Sequence, residues 1–419
     1  MSKFIRLFEK FFVILSLIVF TEPNALIEIL VSEQNKIYYL QVLFLCLIGS
    51  ITTVLIAIWR KTIIRSASKE KLLWFLLAIV LVSFFWSYQP LWTLVSSILL
   101  IQTTLFGVYF GLRYSLNEQL WLLAWAFGLT ALFSFILGIV LPEYAIMGMG
   151  DILNSQEIGH RGSWQGIYRH KNTLGQVMSL GALVFLVLTK SNRKYLWLTY
   201  GGFFLCVSLL LLSTSKTALI VIVSVIMVAH LFKILQRRDS ITLPLFIVII
   251  LFSISLTILM LGNAAGILKI LGRDITLSGR TLLWAAVFDK ICQRPWLGYG
   301  YGGFWRSWEG ESADIWRLVG WEVPHAHNGF LDILLNLGLV GLIVFSLNYI
   351  TIYSRAISFA HKSNSIERDW TLVFLIFFFL SNLTESLIFS QSIFWVLFVS
   401  CYFVCKQQVQ SNRSSLIYP

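Results

Sequence analysis

Hydrophobic runs of roughly 17–25 residues recur along the whole chain, separated by short polar links, and this most limits how it can fold. Runs of that length must be helices if they cross lipid, because only a helix satisfies its own backbone there. A closed barrel would need shorter, alternating strands, and no such alternation is visible. Only 12% of the residues are charged, about half the roughly 25% usual for a soluble domain. The reading is an all-α polytopic membrane protein. Twelve spans are expected, near 5–21, 37–59, 72–88, 91–111, 119–141, 173–189, 195–213, 217–235, 241–262, 329–354, 371–389 and 391–405. Lys3, Arg6 and Lys10 precede the first run as in a signal peptide, but no small-residue cleavage site follows, so the run reads as a retained span.

The net charge of +12 points to topology rather than to nucleic acid. Short links and tails carry Arg60, Lys61, Arg65, Lys69, Lys71, Arg113, Lys190, Arg193, Lys194, Lys233, Arg237, Arg238, Arg355, Lys362, Arg368, Lys406 and Arg413. By the positive-inside rule both termini face the cytoplasm. The opposite face then holds two long loops, 142–172 and 263–328. The expected organisation is a five-span part (1–141), the first loop with spans six to nine (142–262), a large extracytoplasmic loop between spans nine and ten (263–328), spans ten to twelve (329–405) and a cytoplasmic tail (406–419). Cys46, Cys206, Cys401 and Cys405 lie in or beside spans and Cys292 in the large loop, with no metal-ligand spacing.

Both loops keep cations against the topology bias, which asks what those cations bind. Arg161, Arg169, His170 and Lys171 cluster just before span six, ahead of Asn172. They can form a headgroup girdle or a phosphate site, with glycines letting backbone N–H groups approach. Arg280 opens an expected helix capped by Ser278 or Gly279, with Leu283, Val287 and Ile291 on one stripe and Pro295 ending it. A cation there opposes the helix dipole, a weak pointer to an anion. Lys216, in the Ser213–Thr217 hairpin, reads as a snorkelling anchor or a further phosphate contact. Glu385 is expected within span eleven, where a carboxylate needs a cationic partner. The aromatic loop from Gly298 to Trp321 suits the lipid interface or sugar stacking.

His325 and His327 precede span ten. At this spacing, beside a helix start, the two rings need not converge. They read as structural histidines, as a zinc pair lacking a third ligand of suitable spacing, or as the source of a general base.

Several of these pieces together resemble the O-antigen ligase / Wzy-type polysaccharide polymerase superfamily, in its exopolysaccharide polymerase-like form. They are G-I-Y-R-H-K-N-T-L-G at 166–175, S-T-S-K at 213–216, S-G-R-T-L-L-W at 278–284, G-Y-G-Y-G-G-F-W at 298–305, H-A-H-N-G-F-L-D at 325–332, N-L-G-L-V-G-L at 336–342 and N-L-T-E-S at 382–386. The resemblance implies a GT-C-type fold in the bacterial inner membrane. It implies transfer of a glycan from an undecaprenyl-pyrophosphate carrier to a glycan or lipid A core acceptor, with no cofactor or metal and with other assembly proteins as partners. It makes His327, next to Asn328, the base and Arg280 a pyrophosphate ligand. The second arginine is Arg161 or Arg169, because Gln165 stands where relatives carry Arg. Lys216 stands where they often have Arg. His325, His170, Asn172 and Glu385 are supporting residues.

Overall fold

The computed structural model describes residues 3–31, 34–149, 160–191, 193–235, 280–306, 308–361 and 366–415, and the described residues form helices and no strand. In chain order the helices are α1 (Lys3–Phe20), α2 (Asn24–Leu30), α3 (Gln34–Ile58), α4 (Arg60–Ala67), α5 (Lys71–Val82), α6 (Pro90–Arg113), α7 (Leu116–Val140) and α8 (Pro142–Ala145). They continue with α9 (Lys171–Ser191), α10 (Leu196–Leu212), α11 (Lys216–Leu235), α12 (Arg280–Gln293), α13 (Ala313–Val319), α14 (Gly329–His361), α15 (Ile366–Ser381) and α16 (Ile393–Ser415). Among the described residues five stretches are long and apolar enough to cross a membrane: Lys36–Ile58, Pro90–Arg113, Leu116–Val140, Lys171–Ser191 and Gly329–Ala360. Shorter apolar helices occupy Lys71–Phe85, Leu196–Leu212, Lys216–Phe232, Asp369–Ser381 and Ile393–Cys405. The expected run at 241–262 lies outside the described residues, as do Ser278 and Gly279.

Small residues decide how closely the helices approach. Gly107 and Gly111 of α6 face the backbone of α16: a Cβ on Gly107 would lie 2.9 Å from the Val396 carbonyl oxygen, and one on Gly111 2.8 Å from that of Ser400. Small residues four apart allow this contact in lipid, where apolar burial alone drives little association. At one end of the bundle, buried Glu9 pairs with Arg113 at 2.8 Å and accepts from the Trp59 indole. Glu70 pairs with Arg355 at 2.7 Å.

The large loop is anchored in a break in α14. Gly338 is non-helical there, at φ 63° and ψ −161°, a region almost reserved for glycine. The glycine–aromatic run enters the break. The N–H groups of Tyr299 and Gly300 donate to the carbonyls of Leu335 and Asn336 at 2.7 and 3.0 Å, and those of Leu339 and Val340 donate to Pro295 and Trp296 at 2.8 and 3.2 Å. A Cβ on Gly298 would lie 2.4 Å from the Leu335 carbonyl oxygen, and one on Gly338 2.3 Å from the Trp296 backbone. The break loses no backbone hydrogen-bonding, because the loop replaces the missing partners. Leu283, Val287 and Ile291 of α12 are buried as their spacing predicts. With Tyr299, Phe304, Trp316, Val323 and Ala326 they form a second, smaller core.

Two expectations for this region are corrected. Span eleven was expected to run to residue 389, but α15 ends at Ser381. The side chain of buried Asn382 accepts from the N–H groups of Leu387 and Ile388 at 2.9 and 3.0 Å. Asparagine here offers the backbone an alternative to the helix ladder, and 382–392 becomes an ordered irregular segment. Much of the loop's aromatic surface was a candidate for sugar stacking, yet Tyr299, Tyr301, Phe304 and Trp316 are core residues.

Candidate functional site: a histidine–glutamate centre beneath converging helix starts

Glu385 is the hub. Its Oε2 lies 3.3 Å from His327 Nδ1, its Oε1 3.4 Å from Arg280 Nη2 and 3.1 Å from Asn172 Nδ2. The three partners come from the 323–328 turn, the first residue of α12 and the first turn of α9. The side chains of His327, Arg280 and Glu385 are 18%, 17% and 10% exposed, so the cluster is largely dry yet open to one side. Burial alone would push the Glu385 carboxyl up. The hydrogen bond and charge of His327, with the His325 and Arg280 charges, outweigh burial and hold it down at about 2. It is therefore a carboxylate at neutral pH, and His327 Nδ1 must donate the proton of that bond.

The other ring nitrogen, Nε2, has no hydrogen-bond partner among the described residues and, in the neutral form of the ring, can accept a proton. His325 Nδ1 accepts from the His327 backbone N–H at 3.2 Å, and His170 Nδ1 accepts from the Asn172 N–H at 3.2 Å. A neutral ring whose Nδ1 accepts carries its proton on Nε2. His325 and His170 are thus hydrogen-bond donors. Of these three imidazoles, His327 alone offers a base nitrogen. Burial, with the charge of His327, lowers His325 to about 3. Burial also lowers His170, to about 4, with Glu385 opposing and His160, His327 and Lys171 adding to the fall.

Buried Asp332 positions the turn. It accepts from the Ala326 N–H at 3.1 Å, from the Trp305 indole at 2.9 Å and from the Ser386 hydroxyl. One carboxylate so joins the histidine turn, the glycine–aromatic loop and the 382–392 segment. The Trp284 indole donates to the Ala326 carbonyl at 2.8 Å and ties α12 to the same turn. Held this way, His327 adopts φ 51°, uncommon for a residue with a Cβ and found where surroundings over-determine the backbone.

These constraints fold the histidine pair back on itself, with ring centroids 4.3 Å apart. The left-handed turn at His327 makes the two rings converge. The expected lack of a third ligand is corrected. Ligand atoms of His325, His327 and Glu385 lie within 4.8 Å of one another, close enough for a metal ion. Sequence spacing missed the third because Glu385 lies 58 residues beyond His327. Arg280 already places a permanent cation against this carboxylate.

The remaining cations divide. Buried Lys171 Nζ reaches Ser163 and Thr214 hydroxyls at 3.4 and 3.3 Å, linking the first loop to the 213–217 hairpin. Asn172 accepts from Ser215 at 3.1 Å. Arg169 is drawn away to Glu28 and is 43% exposed. Arg161 and Lys216 are exposed and form no ion pair among the described residues. Asn328 accepts from the Phe330 and Leu331 N–H groups at 3.0 and 3.2 Å, capping the start of α14.

Residues 201–346 match the family described as O-antigen ligase. Over 200 residues the chain is 30% identical to the exopolysaccharide production protein ExoQ of Rhizobium meliloti (strain 1021). That alignment covers 46% of this chain and 46% of ExoQ, so the chain spans about half the length of the curated relative it matches. Both matches support an O-antigen ligase/Wzy-type family. The family match includes the hairpin, Arg280, the glycine–aromatic loop and His327; the first-loop cations and Glu385 lie outside it. Asp332 and Asn382 acquire their positioning roles only in the structure. Asp332 stands in the H-A-H-N-G-F-L-D stretch and Asn382 opens N-L-T-E-S, but neither pattern says what a side chain will hold.

Three of the site's perturbed groups, His325, His170 and Glu385, lower stability as pH falls, and Asp332, raised by burial, opposes them. Histidine ordinarily titrates near 6.5, and folding lowers His325 and His170 to about 3 and about 4. Unfolded chains then bind more protons than folded ones as pH falls from about 6.5, so stability falls with it. Glu385 acts in the same direction: its folded-state contribution is present above its ordinary value of 4.5 and is lost as pH falls toward 2. Thermal unfolding in detergent should therefore show a lower midpoint at pH 5 than at pH 7. A His170→Gln, His325→Gln variant should shift less. An equal shift would show that these rings do not drive it.

Proposed function

We propose that the protein is a membrane glycosyltransferase that polymerises undecaprenyl-pyrophosphate-linked oligosaccharide repeats on the extracytoplasmic face of the bacterial inner membrane. The observation that carries this reading is the single free base nitrogen of His327, held by Glu385 beside Arg280. His327 Nε2 takes the proton from an acceptor hydroxyl as its oxygen attacks the donor's anomeric carbon. The bond to pyrophosphate breaks, and the lipid pyrophosphate leaves with the electron pair. Attack opposite the leaving group inverts the anomeric centre. Neutral imidazole has the basicity to accept that proton near neutral pH.

The leaving group needs positive charge rather than an acid. Arg280 supplies it, with Lys171 and Lys216 nearby in the chain's arrangement at the starts of α9 and α11. Arg161 is the first-loop arginine of this reading, because Arg169 is engaged by Glu28. The start of α12 lies at the same centre, at Arg280, and helix N-termini favour anions. The reading includes twelve spans in a GT-C-type arrangement, cytoplasmic termini, a glycan acceptor and no metal in the chemistry. Arg280 then does the work of charge neutralisation.

A second reading is an O-antigen ligase, delivering the glycan to lipid A core or another acceptor; the family match favours it by its description. A transporter of lipid-linked sugars would place its site near the bilayer midplane on broken helices. Purified protein in detergent, given the lipid-linked repeat that accumulates in a deletion strain, is expected to yield longer glycans. No extension, with intact substrate recovered, would remove the polymerase. Single repeats left on lipid A core in the deletion strain indicate a polymerase, and unattached polymer indicates a ligase.

A further inference from the structure

The aromatic side chains of the large loop are nearly all committed to its own packing. Trp316 donates to the Val323 carbonyl at 3.0 Å, Trp284 to that of Ala326 at 2.8 Å, and Trp305 to Asp332 at 2.9 Å. Trp308 donates to Glu322. The Tyr299 hydroxyl donates to the Lys290 carbonyl at 2.8 Å, the Tyr301 hydroxyl to that of Phe389, and Phe304 is buried. Trp296 is 66% exposed and suits the lipid–water boundary.

Trp321 is different. It is half-buried and packs against the loop's small core. Its indole N–H has no hydrogen-bond acceptor among the described residues. Its ring lies 6.2 Å, centroid to centroid, from that of His327, tilted by 41°. The placement follows from Gly320, which ends α13 in a left-handed turn at φ 81° while its N–H donates to the Trp316 carbonyl at 2.8 Å. A residue with a Cβ would be strained there. The turn brings the chain back across the core and delivers Trp321 to the base.

We propose that the indole face of Trp321 is the platform on which a pyranose ring of the acceptor glycan rests while His327 takes its hydroxyl proton. The proposal depends on the glycan-transfer reading above and adds the residue that seats the acceptor. A pyranose presents an apolar face of axial C–H groups carrying slight positive charge, and the indole face carries negative charge density. The sugar's hydroxyls project around its rim. A ring in contact at about 4 Å would bring a rim hydroxyl within reach of an imidazole whose centre is 6.2 Å from the indole. The free indole N–H can donate to a second hydroxyl and fix the rotation of the sugar. A buried interface anchor would need neither the open N–H nor the adjacency to His327.

The test uses the full-length protein in detergent, with the lipid-linked repeat from a deletion strain as substrate. The probe is the same oligosaccharide freed from its lipid by mild acid, which cleaves glycosyl pyrophosphates. It lacks the leaving group, so it can occupy the acceptor position but cannot serve as donor. In Trp321→Ala and Trp321→Leu its half-inhibitory concentration should rise about threefold to tenfold, with kcat/KM for the lipid-linked repeat falling alongside. Trp321→Phe should recover most of the loss. Unchanged inhibition in both Ala and Leu variants would overturn the proposal, as would a fall in kcat with inhibition unchanged. So would failure of the lipid-free glycan to inhibit the wild type. In each of those cases product formation by the wild type leaves the glycan-transfer reading standing. Absence of wild-type product removes both.

Discussion

Replacing His327 by alanine should lower product formation by about 10² to 10⁴, the range a positioned general base contributes, with membrane insertion unchanged. The expectation follows from the protonation pattern rather than from the presence of histidines. His325 and His170 each accept a backbone N–H at Nδ1. Neither presents a lone pair to an incoming hydroxyl, so neither can substitute. The corresponding alanine variants of those residues should lose less activity, because they remove donors and packing but leave the base. Near-normal polymer from His327→Ala, measured on the purified protein, would take the base role away from this residue.

Glu385→Gln should cost almost as much, on the order of 10²-fold or more in kcat, though Gln has nearly the shape of Glu. The reason is tautomer control. A carboxylate can only accept from His327 Nδ1, which leaves Nε2 as the base. A carboxamide can instead donate to Nδ1, which places the proton on Nε2 and removes the base. Replacing the oriented carboxylate of a serine-protease triad by an amide lowers turnover by about 10⁴ for this reason. Glu385→Gln also strips Arg280 of its charge partner, freeing that guanidinium to hold phosphate more tightly. Turnover should therefore fall while the KM for lipid-linked substrate falls or stays level. A rise in KM with unchanged kcat would mean that Glu385 shapes the binding surface and does not orient the base.

The site was only partly legible in the sequence. Arg280 and His327 stood out because each sits at a helix start in a loop rich in glycine and aromatics, and the match over 201–346 covers both. Glu385 stands out as a carboxylate in an apolar run, which needs a cationic partner, Arg or His. Both kinds are present, Arg280 at 3.4 Å and His327 at 3.3 Å. The sequence did not distinguish Arg161 from Arg169. In the structure Arg169 pairs with Glu28, from a short helix after the first apolar run whose proximity no local pattern reveals. Nor did it show that Asn382 stops α15 where hydropathy expected a span to continue. A side-chain bond to two N–H groups five and six residues later leaves no mark on periodicity.

What the sequence determined by itself was the solvent and the class of fold. Long uncharged apolar runs can satisfy their backbones in lipid only as helices, so an all-α membrane protein follows from local composition. It also determined which helices begin with polar and cationic residues, and so which segments were candidates for chemistry. Only the tertiary structure decided which imidazole nitrogens are hydrogen-bonded. That depends on a carboxylate 58 residues away, on a turn at φ 51° and on a second carboxylate, Asp332, that holds the turn. Those are distances and angles among segments far apart in the chain. Proton placement on a neutral histidine depends on such partners, because the hydrogen bond made by one ring nitrogen sets which of the two carries the proton.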